Sequence, residues 1–140
     1  MVSGSSDNTL RIWNIYSGNC EVTLSCPFGS SSCLMISSDG RLVSAGGKCT
    51  TIWNIEPGLY EQTFKGRRMA INCLSKIGDD RVIYSGGDPT INVWKVGSVE
   101  VQQTLHSSTK GVYCLITLAD GRIVSGSRDG TIIVWCRLKL

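Results

Sequence analysis

Histidine and paired cysteines are scarce in this sequence, and their scarcity excludes most metal and redox chemistry. The chain has one histidine, His106, and seven cysteines, and no two of them form a C-x-x-C pair. Structural zinc sites and thioredoxin-like motifs use that spacing. The chain also lacks an N-x-Ser/Thr sequon. We therefore expect free thiols in a reducing compartment, the cytoplasm or alternatively the nucleus, and neither a metal site nor a cofactor.

Signals for membranes and for nucleotides are lacking as well. No charged leader precedes an apolar segment at the N-terminus, and no apolar run approaches the roughly 20 residues that span a bilayer. The pair Gly47-Lys48 has Leu42 where a phosphate-binding loop needs glycine, and Cys49 where it needs a hydroxyl. The β-branched segment that follows, "TTIWNI", is typical of a strand rather than of the helix that such a loop opens.

What the sequence does contain is enough apolar residues for one folded domain. Of its 140 residues, 41% are hydrophobic and 18% are charged, and the formal net charge is +3. Such a composition is typical of a globular chain. The charge is too small to indicate nucleic acid by itself, because that function needs basic residues concentrated on one face.

An internal repeat organises the chain. Four segments align: "VSGSSDNTLRIWN", "VSAGGKCTTIWN", "YSGGDPTINVWK" and "VSGSRDGTIIVWC". Their tryptophans are 40, 41 and 41 residues apart: Trp13, Trp53, Trp94 and Trp135. The alignment also places four serines in one position, as buried hydroxyls with local hydrogen bonds: Ser3, Ser44, Ser85 and Ser125. We interpret the tryptophans as wedges between neighbouring units, since buried aromatic area chiefly builds cores.

The remaining repeated segments predict strands and tight turns. "CLMISSDGRLVSAG", "CLSKIGDDRVIYSG" and "CLITLADGRIVSG" each give an apolar strand, an acidic turn and a second strand. Their shared first position predicts three buried, reduced and unligated thiols: Cys33, Cys73 and Cys114. Period-two alternation in "CEVTLS", "LYEQTFK" and "VQQTLH" predicts half-exposed outer strands. The Asp-Gly pairs supply the positive φ of hairpin turns. We expect an all-β fold with about 14 strands, about four in each repeat.

This pattern resembles the WD-repeat family of β-propellers, in which each repeat contributes one four-stranded blade around a central channel. The resemblance covers essentially the whole chain. It implies a partial blade at 1–25, blades at about 26–65 and 66–106, and a last blade at 107–140 that lacks its outer strand. The Trp-Asp and Gly-His dipeptides of the family are absent, so the indole N–H groups need partners other than that histidine.

An arc of this size leaves a blade face and strand edges exposed, since propellers typically have about four to eight blades. Three explanations are open: a piece of a longer propeller, an oligomer that completes the ring, or a strained closure of this chain. We favour the first, because Met1 is followed at once by a strand residue. Expressed alone, the chain is expected to associate or to aggregate.

Function in such a fold belongs to the loops at its two ends, because side chains within the blades are committed to packing. One end collects the outer-to-inner links and the tight turns, with most of the basic residues, whereas the opposite end is acidic. The resemblance implies that the basic end is the usual docking surface for peptides and protein domains. The candidate partner-binding residues are Phe28, Lys48, Lys65, Arg67, Arg68, Lys110 and Arg128.

We predict a non-catalytic scaffold that docks a protein partner, through an acidic or phosphorylated segment, on the basic end. Arg67 and Arg68 are the sharpest candidates because paired guanidinium groups fit carboxylate and phosphate bidentately. An ordinary solvated basic rim is the alternative for these residues. An RNA-associated scaffold needs more aromatics among the basic loops. A propeller enzyme needs converging acid and histidine residues, whereas His106 has no repeat-matched partner and no G-x-S-x-G elbow is present. We predict no catalytic residue.

Overall fold

The structure is a computed structural model that describes residues 1–27, 29–47, 49–55, 60–65, 70–96, 98, 100–107 and 110–136, with the backbone alone over 60–65. Within those ranges every regular element is a strand. The first seven strands are β1 Val2–Gly4, β2 Thr9–Trp13, β3 Cys20–Ser25, β4 Cys33–Ile36, β5 Leu42–Gly46, β6 Cys49–Trp53 and β7 Tyr60–Lys65. The second seven are β8 Ile71–Ile77, β9 Arg81–Gly86, β10 Thr90–Lys95, β11 Val101–His106, β12 Val112–Thr117, β13 Ile123–Ser127 and β14 Ile132–Trp135.

The strands form four antiparallel sheets in chain order. The first sheet is β1-β2-β3, the second β4-β5-β6-β7, the third β8-β9-β10-β11 and the fourth β12-β13-β14. The all-β prediction is therefore confirmed, and the three segments predicted as outer strands are β3, β7 and β11. The Asp-Gly turns also form as predicted, with φ of 83°, 83° and 84° at Gly40, Gly121 and Gly130.

Each sheet has two faces, because successive side chains of a strand point to opposite sides. We call the face that carries the tryptophan the tryptophan face and the opposite one the aliphatic face. The aliphatic face of each sheet packs on the tryptophan face of the next. Leu10 of the first sheet meets Trp53 of the second, Ile52 of the second meets Trp94 of the third, and Ile83 of the third meets Trp135 of the fourth.

The prediction that tryptophans act as wedges is confirmed for three of the four. Trp53 and Trp94 are 3% and 1% exposed, and the half-buried Trp135 packs against the cluster between the third and fourth sheets. The prediction is wrong for Trp13, which lies on the tryptophan face of the first sheet. No described sheet precedes that face, and Trp13 belongs to none of the described core clusters.

Three of the four indole N–H groups donate to a serine hydroxyl of their own sheet. Trp53 donates to Ser44 Oγ at 2.7 Å, and the Trp13–Ser3 and Trp135–Ser125 bonds are each 2.8 Å. These bonds confirm the predicted local role of the repeated serines in three sheets. Each serine lies on the same face as its tryptophan, two residues after the residue that pairs with it.

The third sheet departs from this arrangement and corrects the sequence alignment. Trp94 pairs with Val82, so the position equivalent to Ser44 holds Tyr84, not Ser85. Tyr84 faces the second sheet with Trp94, and the Trp94 indole donates to the carbonyl of Ser98. Ser85 lies on the opposite face. It is fully buried, and its hydroxyl has no hydrogen-bond partner among the described residues.

The three repeated thiols are free, but they are not equally buried. Cys33 donates to the carbonyl of Asn72 in the next inner strand at 2.8 Å, and Cys73 Sγ accepts a hydrogen bond from the backbone N–H of Leu115 at 3.2 Å. Both are half-buried, whereas Cys114 is exposed. The prediction that Cys114 is buried is wrong, because no described sheet covers the aliphatic face of the fourth sheet.

The sheets follow one another as an arc. Among the innermost strands, β1 contacts β4, β4 contacts β8, and β8 contacts β12, whereas no comparable contact joins β12 to β1 within the described residues. Among the residues that the structure describes, none forms a sheet that covers the tryptophan face of the first sheet or the aliphatic face of the fourth. None of the described residues forms a helix long and apolar enough to cross a membrane.

Candidate docking site

The turns and links at one end of the arc frame a cleft among the described residues. This end, which we call the loop end, holds the turns β1–β2, β5–β6, β9–β10 and β13–β14 and the links that lead from each sheet into the next. Between the third and fourth sheets these segments enclose about 440 Å³. The lining residues, which define the loop-end cleft, are Gly87, Pro89, Lys110, Gly111, Tyr113 and Arg128.

Backbone hydrogen bonds hold the three segments around the loop-end cleft together. The Arg128 N–H donates to the carbonyl of Gly111 at 3.0 Å, and the Val112 N–H donates to that of Asp88 at 3.3 Å. The link before β12 is therefore tied to the turn of the third sheet on one side and to the turn of the fourth on the other. These bonds bring Lys110 and Arg128 to the same cleft although 18 residues separate them in the sequence.

Two backbone segments that line the cleft, at Gly87 and at Gly111, approach each other closely. Gly111 lies so near Gly87 that a Cβ atom at Gly111 would meet the Gly87 carbonyl oxygen at 2.5 Å and its carbonyl carbon at 2.7 Å. Only a glycine allows this approach without displacement of the turn. The shape of the cleft therefore depends on glycine at position 111.

The carboxylates near the cleft are engaged within their own turns. Asp88 Oδ1 accepts hydrogen bonds from the Thr90 N–H and hydroxyl, at 3.1 and 2.7 Å, and Asp129 Oδ1 accepts from the same groups of Thr131, at 3.0 and 2.7 Å. Hydrogen bonds from Thr131, together with one from the backbone of Lys110, lower the pKa of Asp129. Asp129 thus helps to position the backbone next to the Lys110 side chain.

The cationic side chains of the cleft are exposed. Both Lys110 and Arg128 lie at the surface, and Arg128 forms no ion pair with any described acidic residue. Tyr113, half exposed, and Pro89 line the same cleft. The cleft therefore combines two positive charges, an aromatic ring and a proline ring, which suit an acidic group flanked by apolar surface.

At the opposite end of the arc, three cationic side chains form ion pairs with nearby acidic side chains. Arg41 pairs with Asp39 at 2.6 Å, Arg122 pairs with Asp120 at 2.8 Å, and Lys95 Nζ lies 3.2 Å from Asp80. The first two pairs are formed within one turn. These three cations are thus paired within the protein itself, whereas Arg128 has no ion pair with a described acidic residue.

A second cavity at the loop end, between the first and second sheets, is too small for a ligand. It measures about 10 Å³, room for one water molecule at most, because Ser30 and Ser31 pack directly against Gly46. The inter-sheet position alone therefore does not create a cleft. The link before β12 leaves space that the link before β4 fills.

Two of the seven predicted partner-binding residues, Lys110 and Arg128, meet in the loop-end cleft. Lys65 ends β7, and its side chain is outside the described part of the structure. Phe28, Lys48, Arg67 and Arg68 also lie outside the described residues. Their roles stay predictions from the sequence.

Sequence reasoning missed Tyr113 and Pro89. The residue before the repeated cysteine is Ser32 in the second sheet and Asn72 in the third, but Tyr113 in the fourth. The sequence therefore did contain a signal for Tyr113, because an aromatic residue stands where the other repeats have a small polar one. Pro89 replaces the glycine or asparagine that follows the turn aspartate elsewhere, and nothing in its pattern predicted a cleft.

Comparison with known proteins identifies the architecture. The sequence model of one family, WD domain, G-beta repeat, matches residues 1–14, 58–95 and 99–136, which together are more than half of the chain. The chain belongs to the WD-repeat family. The match at 58–95 covers β7 to β10 and the match at 99–136 covers β11 to β14. Each sequence repeat of this WD-repeat protein therefore takes the outer strand of one sheet and three strands of the next.

Solved structures share the propeller arrangement of blades. The structure of U3-55K matches with a TM-score of 0.85 and 26% identity over 96% of this chain. The computationally designed Ika4 protein matches with a TM-score of 0.80 and 27% identity over 98% of this chain. The WD-repeat chain spans 44% of U3-55K and 84% of Ika4. No curated protein matches the sequence significantly.

WD-repeat propellers serve in general as protein-interaction scaffolds rather than as catalysts, and this chain shares their architecture. The described residues contain no group of three or more histidine, cysteine or acidic side chains that suits a metal ion. The sheets of this chain correspond to propeller blades, and the first and last sheets each have three strands.

Proposed function

We propose that this WD-repeat chain binds an acidic or phosphorylated segment of a protein partner in the loop-end cleft. The observation that carries the proposal is that Lys110, Arg128 and Tyr113 line one cleft. The charge distribution of the sequence supports the same end of the arc, because most of its basic residues belong to the turns and links there.

The chemistry of the cleft favours an anion held at two points. The Arg128 guanidinium is planar and offers parallel N–H donors that match a carboxylate or phosphate, whereas the Lys110 ammonium adds a point charge. A phosphate, with about two negative charges at neutral pH and three acceptor oxygens, satisfies both cations together. The Tyr113 and Pro89 rings offer apolar surface to the residues beside that anion.

The proposed role is docking without catalysis. Among the described residues, the side chains that line the loop-end cleft include no carboxylate, histidine or cysteine. These groups supply most general acids, bases and nucleophiles in enzymes. Binding in the cleft therefore holds a partner in place, and any chemistry belongs to that partner or to another protein of the assembly.

Fluorescence anisotropy with synthetic peptides tests the proposal. A library of serine-containing peptides is measured in three forms, with serine, phosphoserine and glutamate at one position, against the wild-type chain. We expect the phosphoserine forms to bind most tightly and the affinity to fall as salt rises, since exposed charges are screened over about 8 Å at physiological ionic strength. Equal binding of all three forms would contradict the proposal.

Charge-reversal variants place the binding. Lys110→Glu combined with Arg128→Glu should weaken the phosphopeptide at least about tenfold, by slower association and by loss of the paired contacts. Lys76→Glu is the matched control, because Lys76 is exposed but lies outside the cleft. Arg67→Glu combined with Arg68→Glu tests the sharpest sequence candidates separately. Equal loss in the control would indicate damage to the fold, and tighter binding of a single-stranded RNA than of any peptide would replace the proposal with RNA association.

A further inference from the structure

The aliphatic face of the fourth sheet is an uncovered copy of a packing surface. Ile132 is 75% exposed and Val134 is 55% exposed, and both point away from the third sheet. Ile116 and Val124 share this face, since Ile116 pairs with Val124 and Val124 pairs with Val134. A patch of adjacent branched side chains on a sheet face marks an interaction surface.

The repeat shows what this surface is built to contact. Trp94 and Trp135 occupy the same position in the third and fourth sheets, so Ile91 corresponds to Ile132 and Val93 corresponds to Val134. Ile91 and Val93 are both fully buried, because the tryptophan face of the fourth sheet covers them. The surface that fits Ile132 and Val134 is therefore the tryptophan face of another WD blade.

The chain carries such a face, also uncovered, at its other end. On the first sheet Trp13 and Ser3 form the same indole–hydroxyl bond, 2.8 Å long, as Trp53 and Ser44 form inside the arc. Arg11 is exposed on this face, where the second and third sheets hold Thr51 and Asn92. A long arginine stem can lie on apolar surface while its charged head reaches solvent.

We propose that the uncovered aliphatic face of the fourth sheet binds the uncovered tryptophan face of the first sheet of a second copy of this chain. The two faces differ from each other and are complementary, so the contact is head-to-tail and recurs when the second copy turns its own fourth sheet to the first. Two copies bring together eight sheets, twice the four of one chain, which is within the range of about four to eight blades that propellers use. Three copies would exceed that range.

The strand inventory specifies where this contact is made. The first sheet begins with β1, which is equivalent to the second strand of a four-stranded sheet. The strands β13 and β14 of one copy therefore pack against β1 and β2 of the other. The proposal does not involve the loop-end cleft, which lies between the third and fourth sheets of a single copy. The docking function and the association can therefore fail independently.

Sedimentation velocity over a concentration series tests the association. We expect the wild-type chain to reach the mass of two copies. Ile132→Lys combined with Val134→Lys should raise the dissociation constant at least about 100-fold, since it would bury two unpaired charges. These residues are exposed in one copy, so at concentrations where both proteins are monomeric the variant should unfold at the same midpoint as the wild type. Tyr16→Lys is the matched control, because Tyr16 is 95% exposed in the turn after β2, on neither face.

A mixing experiment tests the head-to-tail geometry. Arg11→Asp replaces the long stem with a short carboxylate that cannot reach past the apolar surface, and it should abolish association as the double lysine variant does. When the two variants are mixed, one intact interface remains between a wild-type fourth sheet and a wild-type first sheet, so a mixed dimer should form. A wild-type monomer that unfolds cooperatively would overturn the proposal, as would a dimer that survives in the double lysine variant or no recovery on mixing.

Discussion

Trp94 is among the largest fully buried side chains of the chain, and it fills the space between the second and third sheets together with Val43 and Ile52. Trp94→Ala should lower the free energy of unfolding by about 3–5 kcal/mol, because it removes that contact and leaves a cavity. Denaturant titration measures the change. Trp13→Ala, on the uncovered tryptophan face, is the control and should cost less. A loss below about 1 kcal/mol at Trp94 would contradict its role as a wedge.

Ser44 and Ser85 allow a comparison of how much a bonded and an unbonded buried hydroxyl contribute to stability. Ser44→Ala breaks the bond to the Trp53 indole and leaves that donor unsatisfied, which should cost about 1–3 kcal/mol. Ser85→Ala removes a buried hydroxyl that has no partner among the described residues, so it should be neutral or stabilising by up to about 1 kcal/mol. Equal losses in thermal unfolding would show that Ser85 has a hydrogen bond after all.

The thiols should separate by reactivity. Burial raises the pKa of Cys73 and of Cys33, and both contact the next inner strand. Since the thiolate is the reactive form, alkylation under native conditions should modify exposed Cys114 well before these two. Mass spectrometry of peptides over time gives the order. Labelling of Cys73 as fast as that of Cys114 would contradict the burial described here.

The position of a residue in the sheet could be predicted where the spacing of the repeat is sufficient to fix it. It could not be predicted where the strand register changes by one residue. Ser44 and Ser85 both precede a tryptophan by nine residues, so their spacing is identical. In the second sheet the turn is one residue shorter, whereas in the third Tyr84 takes the serine position. A slip of one residue moves a side chain to the other face. Spacing cannot distinguish these two causes.

The turn of Asp39 should make the stability of the fold depend on pH. Hydrogen bonds from the Arg41 and Ser37 side chains hold the pKa of Asp39 well below its ordinary 3.8. A lowered native pKa stabilises the fold fully above the unfolded pKa, and this stability is lost as the pH falls below about 3.8 towards the native pKa. Unfolding midpoints measured from pH 5 to about pH 2 should therefore fall less steeply for Asp39→Asn than for the wild type. Equal slopes would contradict the assignment.

Strands and turns were the most predictable elements of this chain. The alternation in the outer strands and the Asp-Gly turns follow local chemistry, because side-chain period and positive φ are properties of a few adjacent residues. The burial of an element depends on the sheet beside it. Cys114 repeats the pattern of Cys33 and Cys73 and yet is exposed, since nothing in its own strand records whether a further sheet follows.

At the scale of the whole molecule, the stack of aliphatic faces on tryptophan faces explains both the arc and its uncovered ends. The sequence predicted the arc through the period of about 41 residues that its tryptophans mark. It did not predict the loop-end cleft, because that cleft joins the turn at Gly87 and Pro89, the link at Lys110 and the turn at Arg128. Only the packing of two sheets brings these segments together.

We propose that this scaffold holds an anionic peptide in the loop-end cleft. The most direct test of this claim is a titration of the isotope-labelled chain with the tightest phosphoserine peptide, followed by the backbone amide resonances. The largest shifts should appear at Gly87, Lys110, Gly111 and Arg128, and Lys110→Glu combined with Arg128→Glu should abolish them. Shifts centred on the turns of Asp39 and Asp120 at the opposite end would contradict the claim, as would shifts that survive in the double variant.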